Sequence, residues 1–230
     1  MARTFGQDMS GDRVFTTGVP FSAFPITVFS WYKPVTQAYA TNGRSVIGFA
    51  DSASGTYLYS VGLSTTGTVS LVSRFSSYYE NYGTTLATAG EWHALMGIWR
   101  GDTDRNGYMA KYGDTVIDPT TGTVNSAAYP SSVNRIGIGA LVDSSPNQEC
   151  YGDVAYPAVW NVALSTEERE SLMLGRLSPM LVRPQNLVFF DPYLGRSATE
   201  IDIIQARAMT INGTTTTVDN PPVIHDWSVP

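Results

Sequence analysis

The chain has 230 residues, of which 43% are hydrophobic and only 15% charged, against about 25% charged in an average soluble domain. Its net charge of −6 comes without any basic run, which excludes a nucleic-acid groove. No apolar stretch approaches the length of a membrane-spanning helix. With Gly 21, Tyr 13 and Pro 13, the composition favours twisted strands joined by tight turns over a helical bundle. The single cysteine, Cys150, can form no intrachain disulfide and reads as a small buried hydrophobe. The first residues show no signal-peptide pattern, so synthesis in a reducing cytoplasm is expected.

In chain order, residues 1–10 read as an N-terminal arm. Residues 24–32 are apolar on both alternation phases, as in a strand buried between two layers. Residues 45–50, 56–63 and 69–72 follow as strands, with a turn at Thr66-Gly67. Residues 90–100 form the next strand. Asp102 to Gly107 reads as a turn, with Asn106-Gly107 as its hairpin signal, returning through residues 108–112. Residues 135–140 and 154–160 are further strands, and Pro157 demands an edge or a bulge because it cannot donate to a ladder. Ser165 and Glu168 form a capping box that starts a helix over about 166–174, with Gly175 just past its end. Residues 186–193 and 201–211 read as strands. Residues 214–230 read as an extended tail whose Val223, Ile224, Trp227 and Val229 are expected to dock on another chain. The expected core comprises Trp31, Trp92, Ile98, Ile136 and Trp160. The domain then spans 11–213, with a C-terminal extension from about 179.

The candidates for chemistry are few. The seven glutamates are read as not alternating with an aspartate along a strand, as the paired carboxylates of a glycosidase require. A nucleophilic triad has only His93 and His225 to draw on, and no Gly-x-Ser-x-Gly elbow is present, so His93 reads as a structural strand histidine and no enzyme is expected. No cofactor is expected either. Asp102, Asp104 and Asn106 match the first half of a calcium loop with a glycine at the sixth position, but the twelfth position is Gly113 rather than Glu. A weak Ca2+ site and an ordinary polar turn are the two readings. Tyr78, Tyr79, Asn81 and Tyr82 crowd one short loop. Tyrosine faces stack on sugar rings while amides bond hydroxyls, so the loop reads either as a glycan site or as a protein interface.

Four stretches taken together resemble a laminin G-like domain of the concanavalin A-like lectin/glucanase superfamily. They are residues 11–15 with 26–34, the Gly90-Glu91-Trp92-His93 motif, residues 108–113, and Gly152 to Trp160 with the acidic helix start after it. The resemblance implies an all-β jelly roll of two antiparallel sheets with one short helix. Val154, Ala155 and Tyr156 stand where the family often has Ile-Asp-Glu, so a role tied to those acids does not carry over. Residues 177–192 and 201–213 resemble the C-terminal extension of phage and prophage versions of the domain. That resemblance implies a non-catalytic structural protein of a bacteriophage virion, such as a capsid decoration or head or tail appendage. It would be assembled in the host cytoplasm against the major capsid or other virion proteins, as a homo-oligomer. The alternative is a soluble carbohydrate-binding module that recognises a host or environmental glycan. Neither reading involves nucleic acid or membrane.

Overall fold

Residues 26–34 are apolar on both phases, and the structure buries both sides of that strand. The computed structural model describes residues 1–6, 12–36, 43–55, 57–75, 77–121, 127–129, 132–144, 148–193 and 199–221. Its first eight strands are β1 (Ala2–Phe5), β2 (Arg13–Thr17), β3 (Ile26–Pro34), β4 (Arg44–Ala50), β5 (Tyr57–Leu63), β6 (Thr68–Phe75), β7 (Ser77–Leu86) and β8 (His93–Trp99). The rest are β9 (Arg105–Lys111), β10 (Asp118–Pro119), β11 (Arg135–Ile138), β12 (Gly152–Trp160), β13 (Leu187–Phe190), β14 (Thr199–Asp202), β15 (Arg207–Asn212) and β16 (Thr216–Val218). Helix α1 (Thr166–Met173) and a 3-10 turn at Pro179–Leu181 separate β12 from β13.

Among the described residues the strands form two antiparallel sheets. The first runs β10-β9-β8-β3-β12-β1-β16, with β13 also on β12, and the second runs β14-β15-β2-β11-β4-β5-β6-β7. This is the predicted all-β jelly-roll sandwich with one short helix. The helix is capped as its sequence requires: the Glu168 amide donates to Ser165 Oγ and the Ser165 amide to Glu168 Oε2 at 2.8 Å. Gly175 sits just past its end at φ +71, a backbone conformation that glycine adopts without a steric penalty. Pro157 lies at a bulge. The β12–β3 register shifts between Ala155 and Ala158, and Tyr156 takes φ 51.

The core has two layers. Val28, Phe49, Leu71, Leu95, Trp99 and Ile136 pack between the sheets. Phe29, Trp31, Ile98 and Trp160 instead face the far side of the first sheet, where Leu172 and Met173 of α1 cover them. Of the five predicted core residues, only Ile136 lies between the sheets. Trp92 precedes β8 and is half-buried against the outer layer, with Lys33 Nζ 6.0 Å from its ring centroid. The reason is that both phases of the first sheet are apolar, so a period of two does not say which phase meets the partner sheet. Trp99, next to Ile98, holds the central position and donates through Nε1 to Ser73 Oγ at 2.8 Å.

Four further expectations change. Ala2–Phe5 belongs not to an arm but to β1, paired with β12 on one side and β16 on the other. Residues 77–83 belong to β7 and not to a loop. Asn106-Gly107 lies inside β9, opposite Ile98 and Gly97; the turn is residues 100–104, closed by the Arg100 amide on the Asp104 carbonyl at 2.8 Å. Residues 201–211 are not one strand. They contribute to β14 and β15, which pair as a hairpin. Val223, Ile224, Trp227 and Val229 lie outside the described residues.

Candidate functional site

β7 is the last strand of the second sheet, paired with β6 on one side and bridged on the other by the Thr121 amide, which donates to the Tyr82 carbonyl at 2.7 Å. Alternation along it sends Tyr78, Glu80 and Tyr82 outward and Tyr79 and Asn81 inward. Tyr79 packs on the main core with the Arg105 guanidinium 5.9 Å from its ring. Asn81 is buried, with its amide 3.5 Å from the Thr121 carbonyl. Of the four residues predicted from sequence, then, two reach the surface and two do not. Glu80 joins them at the centre, a role the loop reading does not assign to it. The spacing of 78, 80 and 82 reveals the row once the segment is read as a strand.

The three outward side chains make one unit. Tyr78 and Tyr82 donate to Glu80 Oε2 at 2.9 and 2.7 Å, and Ser70 of β6 donates to Oε1 at 2.5 Å. Ser70 is the register partner of Tyr82. Glu80 thus fixes both hydroxyls, while each tyrosine remains 45% exposed. Burial, followed by the Glu80 carboxylate, pushes the Tyr78 phenol up. Burial, the hydrogen bond to Glu80 and its charge push Tyr82 up to about 12. Both phenols therefore keep their protons at neutral pH and act as donors. The two tyrosines use both lone pairs of Oε2 and Ser70 one of Oε1, so a further donor would bond Oε1.

Glycoside hydrolysis needs a second carboxyl group about 5–9.5 Å away. The register partners of Tyr78, Glu80 and Tyr82 on β6 are Arg74, Val72 and Ser70, none of them an acid. Against the expectation that no glutamate alternates with an aspartate along a strand, Glu200 and Asp202 do so on β14, but both are buried and Glu200 is ion-paired with Arg3.

The other candidates take different forms. In the hairpin turn Arg100 Nη1 donates to Asp104 Oδ1 at 3.2 Å and to Asn106 Oδ1 at 3.1 Å. Arg105 Nη1 donates to the Asp102 carbonyl at 3.0 Å. A guanidinium thus occupies the point where two of the three proposed calcium ligands converge. Among the described residues no group of three or more His, Cys, Asp and Glu side chains could hold a metal ion. His93 is buried on β8 and accepts from the Thr88 amide at 3.0 Å through Nε2, and burial lowers its pKa. It closes the turn before β8 and borders a cavity of about 160 Å³ shared with Leu86, Lys111 and Val116.

No protein-family model matches the chain, and no curated protein matches it either. Solved structures do share its fold. The heptameric SAP-like pentraxin of Limulus polyphemus is similar at 18% identity and a TM-score of 0.55, over 75% of this chain and 81% of that one. Domain 4 of AbnA, a GH43 extracellular arabinanase of Geobacillus stearothermophilus solved with arabinotriose, is similar at 16% identity and a TM-score of 0.57, over 75% and 76%. Tailspike protein 2 of Escherichia coli O157:H7 bacteriophage CAB120 is similar at 11% identity and a TM-score of 0.51, over 83% of this chain and 28% of that one. These likenesses show the class of fold, an all-β jelly roll of two antiparallel sheets.

Proposed function

We propose that this protein is a non-catalytic carbohydrate-binding jelly roll that serves as a structural component of a bacteriophage particle. The observation that carries the binding reading is the Tyr78–Glu80–Tyr82 row. It combines two half-exposed rings with fixed hydroxyls and a central acceptor, on the outer face of a fold shared with a domain solved with arabinotriose. Sugar rings present an apolar C–H face and a rim of hydroxyls, and this row offers a surface for each. A glycan array tests it. The wild-type chain should capture a defined set of glycans, and Tyr78→Ala combined with Tyr82→Ala should weaken capture at least tenfold, about 1.4 kcal/mol, without unfolding. Capture that survives the double substitution would refute the reading.

The particle reading is supported by the phage tailspike that shares the fold over 83% of this chain. Leu177, Met180 and Leu181 are also exposed around the 3-10 turn, an apolar surface of the kind that partners cover. Virion proteins or further copies of this chain are the expected partners, and the virion the expected location. Co-sedimentation with assembled particles in a fixed ratio to the major shell protein would support this. A chain that stays in the supernatant would contradict it.

A further inference from the structure

The cavity of about 160 Å³ beside His93 is built from the ends of several strands. His93 of β8 is the register partner of Lys111 of β9, two positions along from the core pair Leu95 and Met109. Alternation therefore turns both side chains to the same side of the sheet as that core pair. Hydrogen bonds hold the frame. Asp118 of β10 accepts from the Thr84 and Thr85 amides through Oδ2, each at 2.9 Å, and from Thr84 Oγ1 through Oδ1 at 2.9 Å. These bonds hold β10 against β7. The Asp114 amide donates to the Lys111 carbonyl at 3.1 Å and closes the turn after β9. Leu86, Met109 and Val116 supply the apolar part of the lining.

Three polar groups in the lining have bonding capacity to spare. His93 is only 2% exposed. Its Nε2 accepts from the Thr88 amide at 3.0 Å, which places the proton of the neutral ring on Nδ1. Nδ1 has no partner among the described residues, and a buried donor in that state costs stability. Lys111 and Asp114 both line the cavity, and the charges of both act on His93. They form no ion pair with each other or with any described residue. The lining thus holds donors on Lys111 and His93 and an acceptor on Asp114, while the oxygens of Asp118 are already engaged. A simple anion would leave Asp114 unmatched, and a simple cation would meet Lys111. Adjacent hydroxyls on a carbon chain satisfy both, since each hydroxyl donates and accepts. A cavity of about 150 Å³ holds a benzene molecule, about six non-hydrogen atoms. That is the size of glycerol, and smaller than a pyranose.

We propose that this cavity binds the vicinal hydroxyl pair of a short polyol, a glycerol unit that is free or forms the side chain of a sugar, with one hydroxyl accepting from Lys111 and the next donating to Asp114. The site uses no side chain of the Tyr78–Glu80–Tyr82 row and goes beyond that reading. Amide shifts of isotope-labelled protein test it. The probes are glycerol, 1-propanol, alanine, methyl mannoside and the methyl glycoside of L-glycero-D-manno-heptose, whose extra carbon adds a vicinal pair outside the ring. Saturable shifts at Leu86, Lys111 and Val116 are expected with glycerol or the heptoside, and not with 1-propanol or the mannoside. A response to glycerol alone assigns a free polyol, and a tighter response to the heptoside assigns a sugar side chain. Lys111→Met keeps the apolar stem and should weaken binding at least tenfold, as should Asp114→Ala, each with an unchanged melting temperature. Equal shifts with 1-propanol or the mannoside, tighter binding of alanine, shifts only elsewhere, or full binding by either variant would overturn the site. Tyr78→Ala combined with Tyr82→Ala should leave the response intact. Failure of the tyrosine row would therefore appear separately, in glycan capture on the array.

Discussion

Asp191 shows at the scale of one residue how much buried polarity this sandwich tolerates. It is fully buried; its Oδ1 accepts from the Tyr193 amide at 2.7 Å while its Oδ2 has no partner. Burial, with further pressure from Glu200 and Asp202, raises its pKa well above 3.8. The folded state therefore prefers the protonated acid. The associated stability is complete below about pH 3.8 and is lost as pH climbs through the raised value. Asp191→Asn keeps the acceptor and removes the charge, so it should raise the melting temperature at neutral and alkaline pH and flatten its pH dependence. A pH profile identical to wild type would contradict this. Arg3 acts in the same region. It pairs with buried Glu200 and donates to Thr215 Oγ1 at 2.6 Å, tying β1 to β14 and to the chain ahead of β16. Arg3→Met leaves Glu200 buried without its charge partner and should cost about 3–5 kcal/mol in urea unfolding.

At the scale of elements, the strands that read correctly are those with a strong local signal. The capping box of α1, the bulge at Pro157 and the two-faced β3 each follow from a few residues. β7 is not legible as a strand because Ser77 to Leu86 has little apolar alternation: its outward face is tyrosine and glutamate, and much of the strand is exposed. The tyrosines are therefore recognisable as candidates from the sequence, while their geometry and the part of Glu80 are not. Which of Ile98 and Trp99 meets the partner sheet is equally hidden, since both are apolar and only the position of α1 decides it. Truncation should separate the two layers. Trp99→Ala, at the centre of the sandwich, should cost about 3–5 kcal/mol, and Trp92→Ala, half-buried, should cost less. Equal losses would contradict the two-layer assignment. The β8–β9 hairpin offers a further check. With Arg100 already bonded to Asp104 and Asn106, chelator should leave the melting temperature unchanged, and a drop that Asp104→Ala abolishes would restore the calcium reading.

At the scale of the whole molecule, the first sheet is covered on both sides, and the second is covered in part on its outer face, where Leu141 and Val142 pack with Ala50, Leu58 and Val72. Helix α1 and the segment that follows it bury the outer face of the first sheet, while Tyr78 and Tyr82 of β7 stand exposed on the outer face of the second. Pairing of β1 with β16 makes the residues through 218 part of the sandwich, and Tyr156 bonds Asn220 just beyond. Deleting residues 222–230 should therefore leave the melting temperature within about 2 °C of wild type while reducing retention on particles. Loss of folding on that deletion would assign those residues to the domain itself.

The central claim is that the tyrosine row on β7 binds sugar. Ring resonances of Tyr78 and Tyr82, followed by NMR while a glycan captured on the array is titrated in, report on it directly. Both rings should shift saturably with one common dissociation constant, while the buried Trp99 indole stays unmoved. Binding with both tyrosine rings unperturbed, or with shifts confined to other residues, would contradict the claim.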